Sequence, residues 1–241
     1  MSMLSWPSFE RASFSLDEAM LHEILSHAKP LGHHEDVRTL NLGFGFMYYG
    51  LVRSLRPQHI VVIGSGFGFS VVCLALGLKD NGRGTLSFVD PSYSVLKHGP
   101  LHTIGGTSQW DEPEKVRNHF SRFDVEEVVT HFKMTSGEFF EGYQDRELPM
   151  IDLAFIDGNH SYEDVRHDFT QALANSRKNA YMLLHDTNIY VREMLGHSGV
   201  KKFLKEIAQQ RERFEVVDFP FSSGVALVRV AGDTDWVPAE G

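Results

Sequence analysis

Two periodicities alternate along the chain. Apolar runs of strand length, rich in β-branched and aromatic residues, fall at 60–63, 85–90, 128–134, 150–157 and 181–186. Between and beyond them, apolar residues at helical spacing predict helices over 69–78, 112–123, 161–174 and 200–208; Tyr162, Val165, Phe169, Ala172 and Leu173 trace the inner face of the third. Thr135-Ser136-Gly137-Glu138 reads as a turn into a further helix, and 214–219 and 224–230 read as two last strands joined by Pro220-Phe221-Ser222-Ser223. Strands alternating with helices argue for parallel crossovers, and the short last connection for an antiparallel pair. The expected fold class is α/β: a doubly wound, mainly parallel seven-stranded sheet of Rossmann-like type with a C-terminal antiparallel strand pair.

Ahead of the first strand, Ser15-Leu16-Asp17-Glu18 is a capping-box pattern that starts an amphipathic helix running to about Ala28, and Pro30-Leu31-Gly32 ends it. A second helix is expected over 35–55, stopping before Pro57. Gly43 and Gly45 alternate with Phe44 and Phe46 and weaken its first part, so 41–47 reads as a packing bend, with a lid or substrate-facing turn as the alternative. We therefore divide the chain into an N-terminal helical appendage or lid, 1–56, and a nucleotide-binding domain, 57–241. Residues 93–112 show little periodicity and read as a long loop, a flap over a site or a locally disordered stretch.

The organising feature is the stretch 60–70, where Ile60-Val61-Val62-Ile63 runs into Gly64-Ser65-Gly66-Phe67-Gly68 and a helix. Glycines let a backbone turn sharply and approach a ligand closely, and the helix N-terminus beyond offers free N–H groups. Gly64, Ser65, Gly66 and Gly68 are thus candidate cofactor contacts. A dinucleotide fingerprint wants a small residue where Phe69 stands, and a P-loop would need Gly-Lys-Ser/Thr, which is absent. Asp90 closes the second strand about 26 residues after Gly64, near the spacing at which an acid reaches ribose hydroxyls.

Composition narrows the setting. A net charge of −9 over 241 residues argues against nucleic-acid binding, and no apolar run of membrane-spanning length occurs. The single cysteine, Cys73, lies in an apolar helix and reads as a buried thiol in a reducing compartment, so a cytoplasmic chain acting on a small molecule is expected, with homo-oligomerisation left open.

A second constellation sits at two other strand ends. The fourth strand ends at Asp157 and the fifth at Asp186, and ligands of doubly wound sheets bind outside the carboxyl ends of strands. Neighbouring strands lie about 4.8 Å apart, and carboxylates brought that close repel unless a cation lies between them. Such oxygen donors suit Mg²⁺ or Mn²⁺, while His185 admits a softer metal. Capping of the helix near Ser161 by Asp157, and a turn started by Asp186, are the structural alternatives. Among 13 histidines His160 stands out by position; His33, His34, His22 and His27 read as solvated or packed.

The alternate glycines resemble motif I of the class I S-adenosylmethionine (SAM) dependent methyltransferases, with Val62 where that family usually has an acid. Asp157-Gly158-Asn159-His160-Ser161-Tyr162, with His185-Asp186, is similar to a narrower group with a D-G-x-H-x-Y signature. That group includes metal-dependent sugar and macrolide O-methyltransferases and cephalosporin-hydroxylase-like proteins. The resemblance implies SAM as cofactor, with Ser136 and Gly137 near its adenine and Asp157 also at its site. It further implies Asp157 and Asp186 as ligands of Mg²⁺ or Mn²⁺, joined by His185 where the metal-dependent members carry Glu, and His160 as general base. The implied activity is O-methylation of a hydroxylated small molecule such as a sugar, diol or natural product. Alternatives are a metal-independent O- or N-methyltransferase, an NAD-dependent oxidoreductase, which Phe69 disfavours, and a non-catalytic SAM-binding protein.

Overall fold

The computed structural model describes residues 14–92, 109–188 and 199–236. Seven strands form one sheet: β1 His59–Ile63, β2 Thr85–Val89, β3 Val129–Phe132, β4 Ile151–Ile156, β5 Ser176–His185, β6 Phe214–Phe219 and β7 Val225–Val230. Their order is β3-β2-β1-β4-β5-β7-β6. The first five are parallel, and β7 runs antiparallel to both β5 and β6. The doubly wound sheet with its antiparallel end is therefore the fold that forms.

Among the described residues seven α-helices accompany it: α1 Glu18–His27, α2 Phe44–Leu55, α3 Phe69–Asn81, α4 Pro113–Ser121, α5 Ser136–Glu141, α6 Tyr162–Ala174 and α7 Val200–Ile207. β1 is buried along its whole length, with four apolar residues after His59, and their side chains divide by parity between the two faces. Ile60 and Val62 enter one apolar cluster with Ile24 and Leu25 of α1, Tyr48 and Val52 of α2, and α3. Val61 and Ile63 enter the opposite cluster with α5, α6 and α7. Each such side chain contributes roughly 1.5–3 kcal/mol by leaving water. Ten consecutive residues of α3 are buried, since α3 is covered by α2 as well as by the sheet.

Three expectations change. The helix expected over 35–55 begins only at Phe44; before it lie a short 3₁₀ turn, Val37–Thr39, and a bridge between Asp36 and Asn41. Phe44–Met47 thus form the first turn of α2, and Gly45 is pressed against Phe69 and Cys73 of α3. β5 starts five residues earlier than its apolar run, because Ser176 pairs with Ile151 before a register shift; Arg177, Lys178 and Asn179 are exposed and carry no apolar signal. α3 continues past Leu78 to Asn81, where Gly82 caps it. Of the loop expected over 93–112, residues 93–108 lie outside the described residues. No helix among the described residues is long and apolar enough to cross a membrane.

Candidate functional site

The strand order reverses between β1 and β4, which places the glycine loop and Asp157 side by side at the carboxyl ends of the strands. The loop's backbone is fixed from both sides: the Gly64 N–H donates to the Val89 carbonyl (2.9 Å), and the Asp157 N–H donates to the Ile63 carbonyl (2.9 Å). Gly64 has φ +68°, and a Cβ there would sit 2.5 Å from the Asp157 carbonyl oxygen, so no other residue fits. Gly68, at φ +86°, opens α3 against His119 and Trp110. Gly66 faces open space. Ser65 and Ser70 share a hydrogen bond of 2.6 Å that ties the loop to the first turn of α3.

Asp90, just past β2, is buried beside this loop. Its carboxylate accepts the Ser92 N–H at 2.7 Å and is also bonded by the Ser65 backbone. Burial outweighs these bonds and pushes its pKa up to about 6. Ser136 and Gly137 form the first turn of α5, which Thr135 caps with Glu138 in a reciprocal capping box. Ser136 bonds the buried carboxyl of Asp168 in α6, whose pKa burial pushes up to about 7. Their surroundings are therefore the packed seam of α5 and α6.

On the other side of Gly64, four polar side chains converge. His185 Nδ1 lies 2.9 Å from Asp157 Oδ1 and 3.3 Å from Asp186 Oδ1. His160 Nε2 lies 3.3 Å from Asp157 Oδ1, and its Nδ1 lies 2.9 Å from Asp186 Oδ2. The structure thus brings Asp157, His160, His185 and Asp186 into one cluster. Asp157 does not cap α6: Ser161 does, accepting the Asp164 N–H at 3.0 Å. Asp186 adopts a left-handed backbone, φ +62°, which a non-glycine residue takes at a cost of order 1–3 kcal/mol.

The electrostatics follow from two carboxylates meeting two imidazoles away from water. Burial alone would keep Asp157 protonated, yet His185 and His160 hold its carboxyl well below the usual range. Burial likewise disfavours the charged His160, but the flanking Asp157 and Asp186 raise it to about 9; His185 is raised for the same reason.

A fifth residue joins this centre from the N-terminal segment, and the sequence singled it out only as packed or solvated. His33 is 4% exposed, its ring stacks on His185 at 4.2 Å, and its other neighbour is Phe69, 4.7 Å away. Its Nδ1 lies 3.0 Å from the Tyr48 hydroxyl. Burial, helped by the charge of His185, keeps its pKa well below the ordinary value. Nothing in its spacing distinguishes His33 from the other histidines; only the return of the chain between α1 and α2 brings it here. His34 packs near Phe44 and Phe221, and His27 pairs with Glu23 on the surface.

Two donor sets meet on Asp157: His33, Asp157 and His185, and Asp157, His160 and Asp186, each with its donor atoms within 4.8 Å of one another. His160 meets Asp157 through Nε2 and Asp186 through Nδ1, so it can give a shared ion only one nitrogen; with that limit the donors, within 4.8 Å of one another, fit a divalent ion. With imidazoles in both sets, they fit an oxygen-seeking Mg²⁺ less well than an ion that accepts nitrogen.

Solved structures share this fold. The O-methyltransferase TomG of Streptomyces achromogenes, involved in tomaymycin synthesis and crystallised with SAM, superposes with a TM-score of 0.64 at 18% identity over 90% of this chain and 91% of that one. An O-methyltransferase of Bacillus cereus in complex with SAH gives 0.64 at 17% identity over 89% and 91%. A putative caffeoyl-CoA O-methyltransferase of Staphylococcus aureus gives 0.59 at 15% over 88% and 91%. The uncharacterized protein y4gI of Sinorhizobium fredii is 26% identical over 197 residues, 81% of this chain; the chain spans only 20% of that protein's length. The methyltransferase-domain family matches residues 61–187, from β1 through the Asp186 turn, so the glycine loop and Asp157, His160, His185 and Asp186 fall inside it, with His33 outside, and the chain belongs to that family.

Proposed function

We propose that the protein is a SAM-dependent O-methyltransferase whose acceptor is a hydroxyl of a small molecule, with Asp157 at the junction of cofactor and acceptor. The observation that carries this reading is the contact between Gly64 and Asp157, which sets a nucleotide-type loop directly against a cluster of two carboxylates and two imidazoles. The O-methyltransferase names of several chains of this fold support oxygen as the acceptor atom.

In this reading the glycine loop and Asp90 hold SAM, with Ser136 and Gly137 on the adenine side. The methyl C–S bond breaks as a C–O bond forms, the sulfur keeps the electron pair, and the hydroxyl proton passes to His160. Alignment supplies much of the rate in such a displacement, and a positioned base typically adds about 10²–10⁴. Asp186 holds His160 through Nδ1, which leaves Nε2 on the Asp157 side to take the proton. The two flanking carboxylates favour the charged form of this ring, and positive charge placed on Asp157 would favour the neutral ring that accepts a proton. Asp157, Asp186 and His185 would hold a divalent cation, which would lower the pKa of a bound hydroxyl.

A metal-independent reading has one observation in its favour: both His160 nitrogens already face carboxylates, so the cluster balances its own charge. Transfer of labelled methyl from SAM to a panel of sugars, diols and phenols, with and without chelator, tests both. Label in product only without chelator supports the cation; equal transfer in excess chelator supports the alternative; and absence of SAH binding in calorimetry would remove the methyltransferase reading altogether.

A further inference from the structure

The buried face of α6 is apolar at Val165, Phe169, Ala172 and Leu173, with one exception. Asp168 stands three residues beyond Val165 and next to Phe169, only 3% exposed, where the helix meets α5. We infer that Asp168 reads the base of the cofactor, accepting the 6-amino group of adenine in the crevice between the Ser136 turn and Gly158. The inference rests on the adenine placement by Ser136 and Gly137 given above, and it names the side chain that sets base specificity.

Three features argue for it. The carboxyl has spare capacity: among the described residues the Ser136 side chain is its one hydrogen-bond donor and no Lys or Arg pairs with it, whereas a carboxylate has about four acceptor sites. Burying so sparsely bonded a carboxyl costs free energy that an apolar residue would avoid, so packing of the α5–α6 seam does not account for it. The carboxyl also lies at the edge of the sheet where the strands end. A Cβ at Gly158 would sit 3.3 Å from Asp168 Oδ2 and 3.3 Å from Cγ2 of Ile63, the last residue of β1. Asp168 thus reaches both pieces of chain that flank the adenine side, the loop after β4 and the first turn of α5. Lastly, Gly158 is absent from the glycines with positive φ, so its backbone does not call for glycine; what the missing side chain leaves is room beside the carboxyl that a methyl group would crowd. The 6-amino group of adenine is a donor and fits a carboxylate, while a 6-oxo group would set oxygen against oxygen. A carboxyl at this place therefore selects amino over oxo purines.

The test uses the whole chain at pH 8, above the value of about 7 to which burial raises this carboxyl. SAH and S-inosylhomocysteine, its 6-oxo counterpart, are titrated by calorimetry, and thermal melting is followed in parallel. The wild-type chain should bind SAH about 10- to 150-fold more tightly than the 6-oxo analogue, the range of one hydrogen bond to a charged group. Asp168→Asn is nearly isosteric, and its amide can offer an oxygen to the amino group or an NH₂ to the oxo group. It should bind the two ligands within about threefold of each other, with a gain for the analogue as well as a loss for SAH. Asp168→Ala should weaken SAH by the same 10- to 150-fold and leave the analogue within about threefold of its wild-type affinity. A residue that only packs the seam would lower both ligands by one common factor, so equal losses in the two variants overturn the proposal. So does a wild-type chain that binds both ligands alike, or a preference for SAH that persists in Asp168→Asn; in either case SAH still binds and the cofactor reading stands. A wild-type chain that binds neither ligand overturns both.

Discussion

On one side of the seam between β1 and β4, the glycine loop takes its groups from residues 64–70 and from Asp90 at the end of the adjacent strand. On the other side, the acid–imidazole centre draws on residues 33, 157, 160, 185 and 186, three segments that meet only in the folded chain. The first region is backbone, held by strand hydrogen bonds and by glycines with positive φ; the second is side chain, held by mutual charge. A backbone site tolerates changes in surrounding side chains and fails when a Cβ is added. A charge-balanced site keeps its fold and fails when one partner is removed, because the remaining buried charge loses its counterpart.

The sharpest way to break this division is Gly64→Ala, since Gly64 belongs to both regions. A Cβ 2.5 Å from the Asp157 carbonyl, added at positive φ, should destabilise the fold by about 2–4 kcal/mol and abolish SAH binding, read by thermal melting and calorimetry. His160→Gln should cost turnover about 10²–10⁴ with SAH affinity unchanged. A rate within threefold of wild type would take the proton-accepting role from this residue.

Asp90→Ala is the converse, weakening SAM by about 10- to 150-fold while leaving metal binding as it was, since hydrogen bonds to a charged group are worth about 1.5–3 kcal/mol. The same carboxyl predicts a pH dependence. With its pKa raised to about 6 by burial, Asp90 is protonated in the free protein below that value, and only the carboxylate accepts from two hydroxyls. Cofactor affinity should hold above about pH 6 and fall toward tenfold per pH unit below it, an acid limb that Asp90→Asn removes. The smallest effect separates scaffold from chemistry: Ser161→Ala removes the α6 cap and should cost about 1 kcal/mol of stability, with turnover within about twofold. A silent Ser161→Ala would return the capping role to Asp157.

The same division explains how much could be read from the sequence. The sheet was legible because β1, β2, β4 and β7 carry mostly apolar residues bounded by turns, and the glycine loop because its residues are contiguous. Asp157, His160, His185 and Asp186 were legible as strand-end polar residues, since parallel strands deliver their carboxyl ends to one edge. The start of β5 was hidden by Arg177, Lys178 and Asn179, which pair while exposed. The start of α2 was hidden because Gly43 bends the chain at φ +55° where apolar spacing already looked helical. His33 was not legible as a site residue at all: it lies on an irregular connection, and its neighbours in space, His185 and Phe69, are far from it in sequence.

The seam also bears on the order in which the molecule is completed. β1 pairs with β2 after only the length of α3, but its other edge pairs with β4, more than 90 residues further on. A chain leaving the ribosome therefore holds a glycine loop supported on one side, with the second edge of β1 unpaired until β4 has emerged. Long-range parallel pairing is slow and leaves such edges exposed. Nucleotide binding should thus be a late acquisition in synthesis, absent from any nascent chain that stops before Asp157 and gained abruptly once β4 docks.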